Sequence, residues 1–377
     1  MIGSVAGAPP RLRHIHASAP APLAVHRSTF RLSRRVVAAS AAATTSQRTA
    51  SGARLPQQRL VGAARASATA ATEARNRRKD RHGGDGGGGA VATTKPSRVF
   101  LLDVNPICYE GARPNLYFFA RWLSLFFSQV SVRDPVIAVL DGESGNDYRR
   151  QLLPSYKAHR RRFSVGGPHR AERHVSDVLQ KCHVPVVKVS GYEADDVVAT
   201  LADQILRRGF RVVIASPDKD FKQLISEEVQ IVMPMPEIGR WSFYTIKHYV
   251  AQYSCDPTSD LSLRCILGDE VDGVPGIQHL VPGFGRKTAV KLLKKHGSLE
   301  NLLNAAAIRT VGKQYAQEAL TKYGDYLRRN HQVLSLRRDA DVHVDKEWLS
   351  ERDTCKDSTV LSNFIKMLDE VQKHNKR

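Results

Sequence analysis

The chain has 377 residues, 42% hydrophobic and 25% charged, with 57 Lys and Arg against 37 Asp and Glu, a net charge of +20 and a pI near 10.0. That length allows one large or two modest domains, and the charge favours a polyanionic partner. Five scattered cysteines without a CxxC pair argue against a disulfide framework or zinc site and for a reducing compartment, and the lack of an apolar run of about 18 residues excludes a membrane-spanning helix.

The first 72 residues carry ten Arg, no Lys and no carboxylate; Glu73 is the first acid. Setting those ten aside leaves 47 of the 57 cations against the same 37 acids, a balance of +10. Residues 1–75, rich in Ala, Ser, Thr and Arg, have the composition of a disordered organelle transit peptide. Mitochondrion and chloroplast both fit, with a slight lean to chloroplast. The alternative is a basic tail that binds nucleic acid directly. Residues 76–96 contain the run Gly83-Gly84-Asp85-Gly86-Gly87-Gly88-Gly89 and read as a flexible linker.

From Ser97 strands and helices alternate. Strands are predicted at 98–103, 136–140, 185–189, 211–215 and 229–233, and helices at 115–129, 168–182, 193–208 and 219–225. This alternation predicts an α/β core over 97–245, a parallel sheet with helices on both faces. An all-helical subdomain is expected over 246–340, with helices at 245–253, 258–267, 286–295, 298–306 and 311–329. Residues 341–377 read as a polar tail with one amphipathic helix near 358–373.

Nine acids sit at the ends of apolar runs: Asp103, Asp141, Glu193, Asp195, Asp196, Asp218, Asp220, Asp269 and Asp272. Strand-end carboxylates converge on the crevice where α/β folds bind ligands. Like charges crowded there need cations, and oxygen-only donors suit Mg²⁺ or Mn²⁺. A metal-dependent enzyme acting on phosphate esters follows. The densest motif is Gly191-Tyr192-Glu193-Ala194-Asp195-Asp196, three carboxylates where one would cap a helix. Asp218 and Asp220 are two apart in a strand-to-helix turn, where Asp218 alone would be an ordinary cap. Asp269 and Asp272 lie in a Gly-rich turn that leads to Pro282-Gly283-Phe284-Gly285-Arg286-Lys287-Thr288. A Gly-x-Gly turn opening a helix offers backbone N–H groups to phosphate, in the manner of a helix-hairpin-helix clamp. From Asp147 to Phe163, Tyr148, Tyr156 and Phe163 interleave with Arg149, Lys157 and Arg160. Aromatics can stack on unpaired bases while cations follow phosphates; the bland reading is a solvated basic helix. Pro154 interrupts it, as in an arch.

Together these motifs resemble the 5′→3′ exonuclease/flap endonuclease family, in particular the nuclease domain that begins bacterial DNA polymerase I, here in a plant-type organellar stand-alone form. The resemblance spans about residues 97–335. It implies a PIN-like nuclease core followed by a helix-three-turn-helix that binds duplex DNA, often with K⁺. It implies two metal ions, Mg²⁺ with Mn²⁺ as substitute, that activate a water and stabilise the leaving oxygen. Asp103, Asp141 and Asp195 or Asp196 would hold the first ion. Glu193, Asp218, Asp220 and Asp269 would hold the second, with Asp272 nearby. Arg149 and Lys157 would contact the scissile phosphate, assisted by Asp195 among the catalytic residues. Tyr148, Tyr156 and Arg160 would bind DNA, and Gly283, Gly285, Arg286, Lys287 and Thr288 would grip the duplex. The chain departs from the family pattern at Val104 and Gly273, in one extra residue after Asp141, and in a short insertion at Gln278-His279-Leu280-Val281. The implied role is removal of RNA primers or 5′ flaps by a monomer, beside an organellar DNA polymerase and away from membranes. Two alternatives are an organellar RNA-processing nuclease and a non-catalytic DNA-structure-binding protein.

Overall fold

Val99 and Leu101 point to one face of the first strand and Phe100 and Leu102 to the other, and all four are fully buried. A strand buried on both faces belongs inside a sheet covered by helices on each side. The computed structural model describes residues 97–110, 113–159 and 168–375. The expected transit peptide and linker, and Arg160, lie outside them.

The central sheet runs in the order β3 (Val186–Lys188), β2 (Val136–Leu140), β1 (Arg98–Asp103), β4 (Arg211–Ala215), β5 (Val229–Met235), β6 (Arg240–Tyr244). All neighbours pair in parallel except β5 with β6. Leu102 sits opposite Ala138 on one side and Ala215 on the other. The antiparallel β6 was not predicted. Its Trp241 is buried, 5.8 Å from the Trp122 ring, and donates to the Trp122 carbonyl at 3.1 Å.

Each face has its own apolar core. On one side, α1 (Leu116–Phe126) and α3 (Pro168–Lys181), which flank the short α2 (Asp147–Leu152) in sequence, cover Phe100, Leu102 and Ala138. The expected helix to 129 ends at Phe126 and continues as a π turn over Phe127–Ser131. The other face meets α4 (Ala194–Arg207) through Val197, Val198, Leu201 and Ile205. The same core runs on into the helices that follow: α5 (Ile246–Tyr253), α6 (Asp260–Leu267), α7 (Arg286–His296), α8 (Leu299–Ile308), α9 (Gln314–Lys322) and α10 (Gly324–Leu334). The single helix expected at 311–329 is thus two, broken at Tyr323, whose ψ of 22° leaves the helical region. Buried Asn330 of α10 donates to the carbonyls of Cys265 and Pro275, pinning α10 to α6.

The amphipathic helix expected near 358–373 forms, but docked on the core and not as a polar tail. Residues Asp357–Asn375 form α11, whose Leu361, Phe364 and Leu368 are buried in the core with α1 and α3. Arg352 locks the approach: it is 5% exposed, pairs with Asp357 at 2.8 Å and donates to the Cys182 carbonyl at 2.9 Å. A run polar by composition still presents one apolar stripe at helical spacing. Among the described residues, no helix is long and apolar enough to cross a membrane.

Candidate metal centre and nucleic-acid interface

β1 leads to β2 on one side of the sheet, whereas β3 crosses over to β4 on the other. The carboxyl ends of β1 and β4 therefore flank the switch point where such sheets open a crevice. Asp103 ends β1, is 5% exposed and accepts from Ser216 Oγ at 2.8 Å. Asp218, two residues further on, caps the 3₁₀ turn Lys219–Leu224 by accepting from the Asp220 N–H at 3.0 Å. Asp141, just past β2, accepts from Asn105 and from the Ala194 N–H at 2.8 Å, so it caps α4 from a neighbouring strand. Burial and the charges of Asp218 and Asp141 push the Asp103 carboxyl well above the usual range. Burial and Asp220 push Asp218 up to about 7. These groups repel one another and would welcome a cation.

The three acids at the start of α4 divide. Asp196 takes Arg149 as a bidentate partner at 2.6 and 2.8 Å and accepts from the Arg337 N–H at 2.8 Å. Glu193 accepts from Arg149 at 2.6 Å, Tyr156 Oη at 3.0 Å and Lys157 Nζ. Burial opposes ionisation of Glu193, but Lys157 and Arg149 outweigh it and hold its carboxyl below the usual value. Asp195 has a buried Oδ1 without a hydrogen-bond partner, and burial pushes its carboxyl well up despite Arg149 at 3.9 Å.

This geometry corrects four expectations. Arg149 is 2% exposed, and its Nε and Nη2 also reach the carbonyls of Val333 and Ser335. All five of its N–H groups are therefore engaged, and none is left for a phosphate. Lys157 is buried against Glu193 with φ +47°, instead of facing a phosphate. Tyr156 is 1% exposed and cannot stack on a base. Asp196, saturated by Arg149 and Arg337, is an ion-pair partner and not an open ligand. The reason is common to all: carboxylates in a dry wall are tolerable only with cations among them, and these are the nearest. The Lys157 charge reaches Asp103, Asp195, Asp218 and Asp272 as well as Glu193.

A second group forms where β4 meets α6. Carboxylate oxygens of Asp220, Asp269 and Asp272 lie within 4.8 Å of one another, all three residues buried. Arg264 Nη2 donates to Asp220 at 2.6 Å and Asp269 at 2.9 Å, and Lys219 Nζ to Asp269 at 2.5 Å. Burial raises the Asp269 carboxyl, but Lys219 and Arg264 outweigh that and hold it low. The loop bearing Asp272 docks under the Lys157 loop: Lys157 N–H donates to the Asp272 carbonyl at 2.8 Å and Ser155 Oγ to the Gly273 carbonyl at 2.8 Å. Gly273 has φ +71°, and a Cβ there would lie 2.4 Å from the Ser155 carbonyl oxygen. Only glycine fits, which accounts for the departure from the family pattern at this position.

The turn expected to clamp a duplex lies at the start of α7. Gly285 precedes the helix without a side-chain cap, Gly283 has φ +91°, and both face open space. Arg286 and Lys287 are exposed, and Arg286 lies 4.6 Å from the Tyr253 ring. Thr288 Oγ1 is 3.0 Å from Tyr315 Oη, so it braces the turn. Tyr148, 40% exposed, has Arg337 4.8 Å from its ring. Arg264, Ser216, Asn105 and Arg337 were missed from sequence. Arg264 alone left a signal, a lone cation five residues before Asp269 on a helix otherwise apolar at that end. Arg337 left none, because it comes from the segment after α10, which returns to α4 through the Tyr192–Asp339 and Gln204–Val342 hydrogen bonds.

Two family models match adjoining stretches of this chain: the 5′-3′ exonuclease N-terminal resolvase-like domain over residues 109–254 and the 5′-3′ exonuclease C-terminal SAM fold over residues 256–357. The 5′-3′ exonuclease of Aquifex aeolicus is 30% identical over 231 residues, 60% of this chain and 74% of that protein. DNA polymerase I of Geobacillus stearothermophilus is 29% identical over 263 residues, and the chain spans only 29% of that polymerase. The T5 D15 protein co-crystallised with metal ions superposes with a TM-score of 0.52 at 20% identity, over 73% of this chain and 99% of that one. T5 5′-exonuclease with bound zinc gives 0.52 at 18% identity, over 71% and 98%. At such identity these structures speak for the fold, a resolvase-like sheet core with a helical C-terminal part. The acids at the switch point, the glycine turn before α7 and the identity to the Aquifex exonuclease lead to one conclusion: the chain belongs to the 5′-3′ exonuclease family of hydrolytic nucleases.

Proposed function

We propose that the chain is a metal-dependent 5′→3′ exonuclease and structure-specific flap endonuclease that removes RNA primers and 5′ flaps from DNA. The observation that carries the reading is the meeting of two carboxylate groups, Asp103, Asp141 and Asp218 with Asp220, Asp269 and Asp272, through the adjacent Asp218 and Asp220. Oxygen-only donors and the partnerless Asp195 Oδ1 fit hard divalent ions, Mg²⁺ with Mn²⁺ as substitute. Asp103, Asp141, Asp195 and Asp218 would hold one and Asp220, Asp269 and Asp272 the other, while Glu193, expected at the second, keeps to Arg149, Tyr156 and Lys157 as Asp196 keeps to Arg149. Bound there, the ions would supply Lewis-acid polarisation of the phosphodiester and acidify a water.

The protein's own residues do the rest. Arg149 and Lys157 hold the start of α4 and the 153–159 loop together, so the carboxylates keep their places. Tyr148 offers a ring to an unpaired base. The amides at Gly283 and Gly285, with Arg286 and Lys287, grip the duplex backbone without reading sequence. Carbonyls of that same turn are the donors this chain offers for the expected K⁺. The acid-free leader supports import into an organelle, chloroplast ahead of mitochondrion, with an organellar DNA polymerase as partner and a monomeric enzyme.

The test is cleavage of a 5′-labelled flap duplex by the full chain, with Mg²⁺ or EDTA, beside Asp218→Ala and Asp220→Ala. Short 5′ products that need Mg²⁺ and vanish in both variants support the reading. Tight binding without cutting would leave a DNA-structure-binding protein. A fusion of residues 1–95 to a fluorescent protein tests localisation: diffuse cytosolic signal would sink the transit peptide.

A further inference from the structure

A cavity of about 100 Å³ lies between the Asp220–Asp269–Asp272 group and the start of α7. Four cations line it, Lys219, Lys222, Arg264 and Arg286, against two carboxylates, Asp260 and Asp269. Lys222 Nζ donates to Tyr253 Oη at 2.8 Å and lies 4.8 Å from its ring; Arg286 lies 4.6 Å from the same ring. Arg264 spends Nη2 on Asp220 and Asp269, while its Nη1 is buried with no partner. Buried donors are rarely left unsatisfied, so this one calls for an acceptor. Tyr253 and Arg286 also line an open groove, with Lys287, Lys291, Lys294 and Lys295 of α7. The two carboxylates oppose an anion only weakly. Asp269 already accepts from Lys219 and Arg264, and burial pushes the Asp260 carboxyl up, toward its neutral form. Asp260 Oδ1 accepts from Tyr249 Oη at 2.8 Å, and its Oδ2 lacks a donor.

We propose that this cavity is a phosphate subsite, which takes one backbone phosphate of bound DNA on the clamp side of the cut, with Arg264 Nη1 as its buried donor and Lys222 and Arg286 as its outer cations. The inference rests on the DNA reading above. It has a consequence for the acids: a phosphate seated there shares the Arg264 charge and weakens its hold on Asp220 and Asp269. DNA arrival and metal binding at that group would then favour each other.

The experiment is fluorescence anisotropy in EDTA, with the full chain and a flap duplex carrying a single neutral methylphosphonate at each position in turn. Wild type should lose about tenfold in affinity at one position on the clamp side of the cut, the scale of one charge-assisted hydrogen bond. Arg264→Leu and Lys222→Ala should bind unmodified duplex about tenfold more weakly and lose the sensitivity at that position. Lys222 touches none of the site acids, so its variant stands if Arg264→Leu fails to fold. Methylphosphonate profiles unchanged in both variants would overturn the subsite while leaving the DNA reading intact. A wild-type chain that does not bind the duplex would remove both.

Discussion

Arg149 shows how far a residue's chemistry depends on what the fold brings to it. Its partners are Glu193 and Asp196, 44 and 47 residues away, and the carbonyls of Val333 and Ser335, 184 and 186 away. Breaking a buried ion pair by removing one member costs about 3–5 kcal/mol, because the other charge stays buried. Arg149→Met should therefore lower the urea unfolding free energy by that amount, and Arg149→Lys should not rescue it, since an ammonium cannot serve five acceptors. A stable Arg149→Met protein with lost cleavage would return Arg149 to the phosphate. Asp218 gives a pH prediction. A carboxyl raised to about 7 in the folded state binds its proton more tightly there than in the unfolded chain, near 4. Protonation thus favours the fold, and that contribution fades as pH rises from about 4 to about 7. Asp218→Asn should flatten this part of the stability curve relative to wild type. Protons should also compete with Mg²⁺, so calorimetric affinity should fall below pH 7 by about tenfold per unit for each proton displaced, and less so in Asp218→Asn.

At the scale of elements, the parallel strands were legible because a strand buried on both faces is a continuous apolar run, as in Val136–Leu140. The α/β core, the helical C-terminal part and the strand-end acids followed from that alternation. β6 was hidden because Arg240-Trp241-Ser242-Phe243-Tyr244 shows only weak alternation, and its place depends on Trp122 of α1. The pairing of Glu193 and Asp196 with Arg149 and Lys157 was hidden by the same distance that hides any tertiary contact. α11 was seen as a helix but taken for a tail, since nothing local tells whether Leu361, Phe364 and Leu368 find a core. Its first residue, Asp357, is the last that the family models match. Phe364 packs edge-on against Phe119 at 6.3 Å and is 5% exposed. Phe364→Ala should cost about 3–5 kcal/mol in urea unfolding. Flap-duplex affinity should stay unchanged, because α11 packs with α1 and α3 in the core on the sheet face opposite α4.

Across the whole molecule, the +20 charge is two separate features: ten Arg in an acid-free leader and a +10 remainder. The second is tied to a built surface, the α7 face with exposed Arg286, Lys287, Lys291, Lys294 and Lys295. Counterion release gives a way to tell which of the two meets DNA. Each phosphate contact adds about 0.9 to the slope of log affinity against log salt. If α7 is the duplex contact, Lys287→Ala and Lys291→Ala should each reduce that slope by about 0.9, additively, and leave the cleavage position unmoved. If residues 1–75 are the proposed transit peptide, their removal should leave the slope as it is, since such a segment takes no part in the enzyme's grip. A slope that drops by several units on removing the leader, and stays put in the α7 variants, would move DNA binding to the leader and leave the α7 turn with no partner.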